Sequence, residues 1–349
     1  MKTQSAKSGY FFTYKKAGIK GILDLIDKNS KKDPVIRRLI NFDRKYFALF
    51  RFLRHLAKID AGIGKYGREP QITKLIKKLN IKLEIFNNYQ NGRIDTTKGL
   101  LVYGVNHSAF LEWALLLTIL KQKTIRFVAN RFYHFMGRFM RENSFPVVAR
   151  VFNSNQINPI HRYLGLGKRF NEHEGMTDEE RKLLNQKSLV KSAKALERGG
   201  VVVIFPGGGG NELKKWRGGL SRIMSIVARE KRHDITLVPV YFSGVGKKRT
   251  LLRIFKAYRN IKQNPLRVGI YFGREKKLSE IYSMFGEDVR EGKILDYLKR
   301  DAFGQFGLKE FPLKNYLYPQ HYPKALGYGL RFATKILLQI IPFSHLIRS

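Results

Sequence analysis

The residues best suited to chemistry lie in Gly104-Val-Asn-His-Ser-Ala-Phe-Leu-Glu112. There an apolar run ends, a polar segment carries His107, and Glu112 opens the next helical pattern. A histidine at a strand end can serve as a general base, and a carboxylate folded against it fixes the ring tautomer and stabilises the imidazolium. Glu112 in a first helical turn is also favoured by the helix dipole alone. A second segment runs from the apolar Val201-Val-Val-Ile-Phe205 into Pro206-Gly-Gly-Gly-Gly210-Asn211-Glu212. A glycine loop lets backbone N–H groups approach a ligand closely. Lys214, Lys215 and Arg217 follow at once, and glycines beside cations suit a phosphate or a developing oxyanion. A surface turn and a solvated charged segment share the same letters.

Both segments need a scaffold that brings strand ends together. Ile81–Phe86 alternates apolar and charged residues, the period of a half-exposed strand. Short apolar runs at Leu100–Val105, Ile125–Ala129, Val147–Val151, Val201–Phe205, Thr236–Phe242 and Arg267–Phe272 are each of strand length. Helical patterns at Phe110–Leu120 and Asn185–Arg198 separate several of them. This alternation predicts an α/β fold, a mixed central sheet with crossover helices. N-terminal to it, Pro34–Lys58 repeats apolar residues at close to the helical period between arginines and lysines, with Pro34 suited to its first turn. A Gly-rich break at Ala61–Gly67 and a helix at roughly Gln71–Leu79 follow. The organisation expected is a basic, amphipathic helical region over 1–79, an α/β domain over 80–300, and a tail over 301–349 with a second amphipathic element beginning near Tyr322.

The 349 residues hold 67 Lys+Arg against 27 Asp+Glu, a formal net charge of +40, and no cysteine. Disulfides, thiolate nucleophiles and sulfur-ligated metal sites are excluded. The charge calls for an anionic partner, whether nucleic acid, acidic headgroups, a phosphorylated substrate or an acidic carrier protein. No secretory apolar core appears near the N-terminus, and no run reaches the roughly 18 apolar residues of a membrane span, so a peripheral or soluble protein is expected. The Pro34–Lys58 stripe fits either a helix lying on an anionic membrane or one packed on the domain.

In combination, the segments resemble the glycerolipid acyltransferase superfamily, which acylates lysophosphatidate and glycerol 3-phosphate. Asn106-His107-Ser108-Ala109-Phe110-Leu111-Glu112 is similar to the family's N-H-x-S-x-x-D block. Arg138-Phe-Met-Arg-Glu-Asn-Ser-Phe-Pro146-Val-Val-Ala-Arg150 resembles its second block, Gly199-Gly-Val-Val-Val-Ile-Phe-Pro-Gly-Gly208 its third, and Leu237-Val-Pro-Val240 its fourth. The resemblance covers roughly residues 80–280. Three departures stand out: Glu112 replaces Asp, the serine falls one place early at Ser108 with Ala109 in its position, and Gly207 stands where the family has Glu. Pro-Gly-Gly followed by Glu-Leu is instead closer to the diacylglycerol acyltransferase branch.

The resemblance implies a mechanism in which His107, oriented by Glu112, takes the proton of an acceptor hydroxyl as that oxygen attacks the thioester of acyl-CoA or acyl carrier protein. It implies substrate contacts from Asn106, Ser108, Arg150, Phe205, Pro206, Gly207, Gly208, Lys214, Lys215 and Arg217. Metal is not required, and the acyl donor is a substrate, not a cofactor. The partners implied are an anionic membrane surface, the acyl donor and a glycerolipid acceptor, with the protein peripheral on the cytoplasmic face of a membrane. His55, His134, His161 and His173 carry no partner pattern and read as structural or exposed. The competing readings are an inactive lipid-binding member of the fold and a nucleic-acid-binding protein; no DNA or RNA module is recognisable.

Overall fold

The computed structural model describes residues 20, 23–24, 26–46, 48–87, 99–107, 111–120, 124–130, 137–148, 177–207, 216–230, 234–286 and 289–308. Helices α1 (Pro34–Tyr46), α2 (Leu49–Tyr66) and α3 (Arg68–Lys78) precede β1 (Ile81–Asn87) and β2 (Leu100–Gly104). Then come α4 (Glu112–Ile119), β3 (Ile125–Asn130), α5 (Arg138–Asn143), β4 (Ser144–Val147), α6 (Asp178–Glu197) and β5 (Val201–Ile204). The chain continues through α7 (Gly219–Glu230), β6 (Thr236–Ser243), α8 (Lys247–Tyr258), β7 (Leu266–Phe272), β8 (Lys276–Lys277), α9 (Leu278–Phe285) and α10 (Glu291–Gln305).

The strands form one eight-stranded sheet in the order β1-β7-β6-β2-β5-β3-β4, with β8 paired to β6. This is the expected mixed α/β sheet. β6, β2, β5, β3 and β4 run parallel, whereas β7 is antiparallel to β6 and parallel to β1. Side-chain alternation divides the core between the two faces. Leu100 and Val102 of β2 join Val201 and Val203 of β5 on one face, while Leu101, Tyr103, Val202 and Ile204 lie on the other. Because β2 and β5 are covered on both faces, they read as unbroken apolar runs.

The first face is covered by α2, α3, α4 and α8, the second by α6, α7, α9 and α10. The helix after β2 thus lies on one face and the helix after the neighbouring β5 on the other. Parallel strands that part in this way open a crevice at their carboxyl ends.

Three sequence expectations need correction. The helix expected over Pro34–Lys58 is two helices. Ala48 is the hinge: it takes a left-handed backbone with φ 54°, its N–H donates to the Asp43 carbonyl at 2.6 Å, and the Phe50 N–H donates to the Asp43 carboxylate at 3.0 Å. The Gly-rich stretch is no break, since α2 continues to Tyr66 and ends where Gly67 adopts φ 84°. The strand expected at Val147–Val151 lies earlier, at Ser144–Val147, because α5 leads directly into it.

Of the two readings of the N-terminal stripe, packing holds for α2, whose Phe50, Phe52, Leu56 and Ile59 are buried in the core of the sheet's first face. The expected boundary near residue 79 falls between α3 and β1. The tail element near Tyr322 lies outside the described residues. Among the described residues, no helix is long and apolar enough to cross a membrane.

Candidate active site

The carboxyl ends of the neighbouring parallel strands β6, β2 and β5 come together at one end of the sheet. The loop that follows β2 begins after Gly104. Val105 extends the β2 ladder by donating its N–H to the Val240 carbonyl at 2.8 Å. Asn106 then pairs with β6 through both amide atoms: Nδ2 donates to the Phe242 carbonyl at 2.7 Å, and Oδ1 accepts the Phe242 N–H at 2.9 Å. An asparagine side chain here mimics a strand partner. Its job is to anchor the residue that follows it.

That residue is His107. Its Nδ1 lies 3.5 Å from Oε2 of Glu112, within ion-pair range but longer than a usual hydrogen bond. Glu112 is completely buried at the first position of α4, where the helix N-terminus favours its negative charge, and 19% of the His107 side chain remains exposed. With Nδ1 turned to the carboxylate, Nε2 is the nitrogen on the far side of the ring. A general base needs this division of labour, one nitrogen oriented and the other available. Catalytic contacts are often long before substrate binds and shorten in the complex.

The imidazole also rests on a platform from the loop after β5. The Phe205 ring stacks on His107 with centroids 4.6 Å apart and planes 29° apart, and reaches Phe242 at 6.3 Å. Gly104 makes room for this ring, since a Cβ there would lie 2.1 Å from Phe205 Cδ1. The sequence places Phe205 among the substrate contacts; the structure puts its ring against the histidine. The support from Gly104 and the acceptance by Phe242 are missed by sequence reasoning; a glycine ending an apolar strand is the available signal of close approach.

After Phe205, Pro206 and Gly207 are buried, and the loop is closed at its base by the Arg217 N–H donating to the Pro206 carbonyl at 2.9 Å. Trp216 anchors the returning chain, buried edge-on against Tyr103 at 5.9 Å and Phe303 at 6.2 Å. Arg217, next to it, is exposed. Gly208, Lys214 and Lys215 lie outside the described residues, as do Ser108 and Arg150.

The segment leading to Arg150 is held up to Val148. Asp60 of α2 caps α5, its carboxylate accepting the N–H groups of Arg138 at 2.8 Å and Phe139 at 2.7 Å. Burial raises the affinity of Asp60 for its proton, opposed by those two bonds. Asn185 of α6 binds Val148 through both amide atoms, at 2.8 Å and 3.0 Å, repeating the device seen at Asn106. Among the described residues, no group of three or more His, Asp or Glu is arranged to hold a metal ion.

Residues 83–243, from inside β1 to the last residue of β6, match the family model described as Acyltransferase. That segment is similar to the acyltransferase family. The resemblance to the glycerolipid acyltransferase superfamily therefore holds at the level of the family, and the match contains His107, Glu112, the glycine loop and the Val-Pro-Val strand. The helices α1–α3 and everything from α8 onward lie outside it. No curated protein matches the chain.

Proposed function

We propose that the protein is an O-acyltransferase that moves a fatty acyl group from acyl-CoA or acyl carrier protein to a hydroxyl of a lysophospholipid or related glycerolipid. The observation that carries this reading is Nδ1 of His107 facing the buried Glu112 carboxylate at 3.5 Å inside the segment similar to the acyltransferase family. The acceptor hydroxyl gives its proton to Nε2 of His107 while its oxygen attacks the thioester carbonyl carbon. The resulting oxyanion is stabilised by backbone N–H groups of the two motif loops. It collapses with cleavage of the C–S bond, and the imidazolium returns the proton to the leaving thiolate. Glu112 holds the ring and stabilises its charged form throughout.

Arg217, Lys214, Lys215 and Arg150 hold the anionic parts of the two substrates, the arginines by paired N–H contacts to phosphate. Ser108, Gly207 and Gly208 contribute hydroxyl and backbone groups to substrate binding. The reaction balances with donor and acceptor alone. Because the acceptor resides in a bilayer, the protein works as a peripheral enzyme at the membrane surface.

The test is mass spectrometry of products from anionic liposomes containing lysophosphatidate, other lysophospholipids and diacylglycerol, each with acyl-CoA or acyl carrier protein. His107→Ala is expected to lower transfer by roughly a hundredfold or more with an unchanged circular dichroism spectrum. Glu112→Gln is expected to lose less, and Glu112→Asp to retain activity. A fully active His107→Ala variant overturns the assignment, and the product mass identifies the acceptor.

A further inference from the structure

Outside the acyltransferase match, α8 and the loop that follows it enclose a surface groove of about 610 Å³. Its lining includes Arg249, Leu252, Arg253, Lys256, Lys262 and Asn264. Positions 249, 252, 253 and 256 recur at helical spacing and therefore share one face of α8. No acid lines the groove among the described residues. Among the described residues, no carboxylate forms an ion pair with any of its four cations.

The arginines are instead fastened to backbone. Arg253 donates to the Asn264 carbonyl at 2.5 Å, and Arg249 to the Gly244 carbonyl at 3.4 Å. Burial, and then the neighbouring charge of Arg249, lower the hold of Arg253 on its proton. Cations crowded in this way without a counter-charge are stabilised by an anion from outside.

The topology puts the groove on the same rim as the candidate active site. β6 is parallel to β2, so it hands the chain to α8 at the end of the sheet where His107 lies. β7 is antiparallel to β6, so Leu266 starts at that end too, and the whole Gly244–Pro265 excursion begins and ends there. Apolar side chains are interspersed with the charge. Leu252 is 45% exposed and Ile261 41%. The last turn of α8 is tied to α2 by Arg51, which donates to the Tyr258 carbonyl at 3.2 Å, and α1, just before it in the chain, exposes Phe42 and Tyr46. Cations alternating with exposed aliphatic and aromatic groups fit a bilayer interface, where phosphates and acyl boundary are met together. Nucleic acid offers no such apolar layer to Leu252 and Ile261. The α2 part of the Pro34–Lys58 stripe, the sequence's candidate for that contact, is already buried in the core.

We propose that the α8 groove takes the headgroup phosphates of anionic phospholipids and seats the His107 rim on the bilayer. This rests on the acyltransferase reading only for the purpose of the contact. The test is flotation with vesicles of phosphatidylglycerol and phosphatidylcholine, against phosphatidylcholine alone. Arg249→Glu/Lys256→Glu/Lys262→Glu is expected to lower binding to the anionic vesicles by about tenfold or more. Arg249→Gln/Lys256→Gln, a milder change that guards against misfolding, is expected to give a smaller loss in the same direction. Lys187→Glu/Lys191→Glu/Lys194→Glu on the exposed side of α6 makes the same change in net charge and is expected to keep binding near wild type.

Equal losses in the two triple variants, or unchanged binding in the α8 variants, overturn the proposal. Transfer to a detergent-dispersed acceptor separates this failure from that of the catalytic assignment, since the α8 variants are expected to retain it while His107→Ala is not. A raised KM for acyl-CoA with vesicle binding unchanged would give the groove to the donor's phosphates and overturn the bilayer assignment.

Discussion

Where they are described, the loop after β2 and the loop after β5 are held by different contacts. His107 is gripped from three sides: Asn106 fastens the chain beside it to β6, Phe205 supports its ring, and Glu112 faces its Nδ1. Of the glycine loop, the described ends are fastened by the Arg217–Pro206 hydrogen bond and the buried Trp216. A base must be held to within a fraction of an ångström to be effective, whereas a loop that embraces phosphates needs fixed ends and an adaptable middle. On the proposed mechanism, the first loop would orient the base and the second would supply substrate affinity.

The sharpest way to break this comparison is Gly104→Ala. The new Cβ would lie 2.1 Å from the Phe205 ring, which must swing away and withdraw its support from His107. Misplacing a catalytic group by about 1 Å costs on the order of a hundredfold in rate. We expect kcat to fall by about that factor, with a stability loss of about 1–3 kcal/mol from overpacking. Steady-state kinetics and thermal unfolding measure the two. The double variant Gly104→Ala/Phe205→Leu should regain stability but not kcat; an undiminished kcat in the single variant would show that the stacking does not position the base.

A smaller effect of a different kind is expected at the second loop. Arg217→Gln leaves the backbone N–H that closes the loop in place and removes an exposed charge. KM for the phosphate-bearing substrate should rise by about tenfold, the loss of one charge-assisted contact, with kcat within about twofold of wild type. If kcat falls instead and KM holds, the division between the loops is wrong.

Much of this plan is legible in the sequence because its carriers are local. β2, β5 and β6 appear as apolar runs since both their faces are buried, and His107 and Glu112 appear as a pair because the turn between them is short. The start of α6 is not read from apolar spacing, which begins near Asn185. It is set seven residues earlier, at Asp178, by a capping box in which Thr177 and Glu180 exchange side-chain and backbone bonds. What remains hidden depends on neighbours distant in sequence. Nothing near Asn106 announces Phe242, 136 positions away, and nothing near Gly104 announces the Phe205 ring. Likewise, the split at Ala48 follows from where Asp43 sends its carboxylate, not from any helix-breaking residue.

The two loops also differ in what stands behind them, and this gives the smallest expected effect. Behind the second lies the aromatic group of Trp216, Tyr103 and Phe303. The face of the sheet behind Phe242 and Asn106 includes the contact between α2 and α8, where His55 Nδ1 meets the Tyr258 hydroxyl. Burial lowers the pKa of His55, and Lys78, Lys58 and Lys74 lower it further. Native His55 therefore stays neutral at a pH where the unfolded chain has already bound a proton. Stability from this group is complete above the unfolded value near 6.5 and declines as pH falls through it, levelling off only below the folded pKa. The melting temperature of wild type should consequently drop more between roughly pH 7.5 and 5.5 than that of His55→Phe, which cannot titrate there. Equal drops would mean that the layer behind the first loop is as indifferent to pH as the aromatic layer behind the second, and only the contrast in grip would survive.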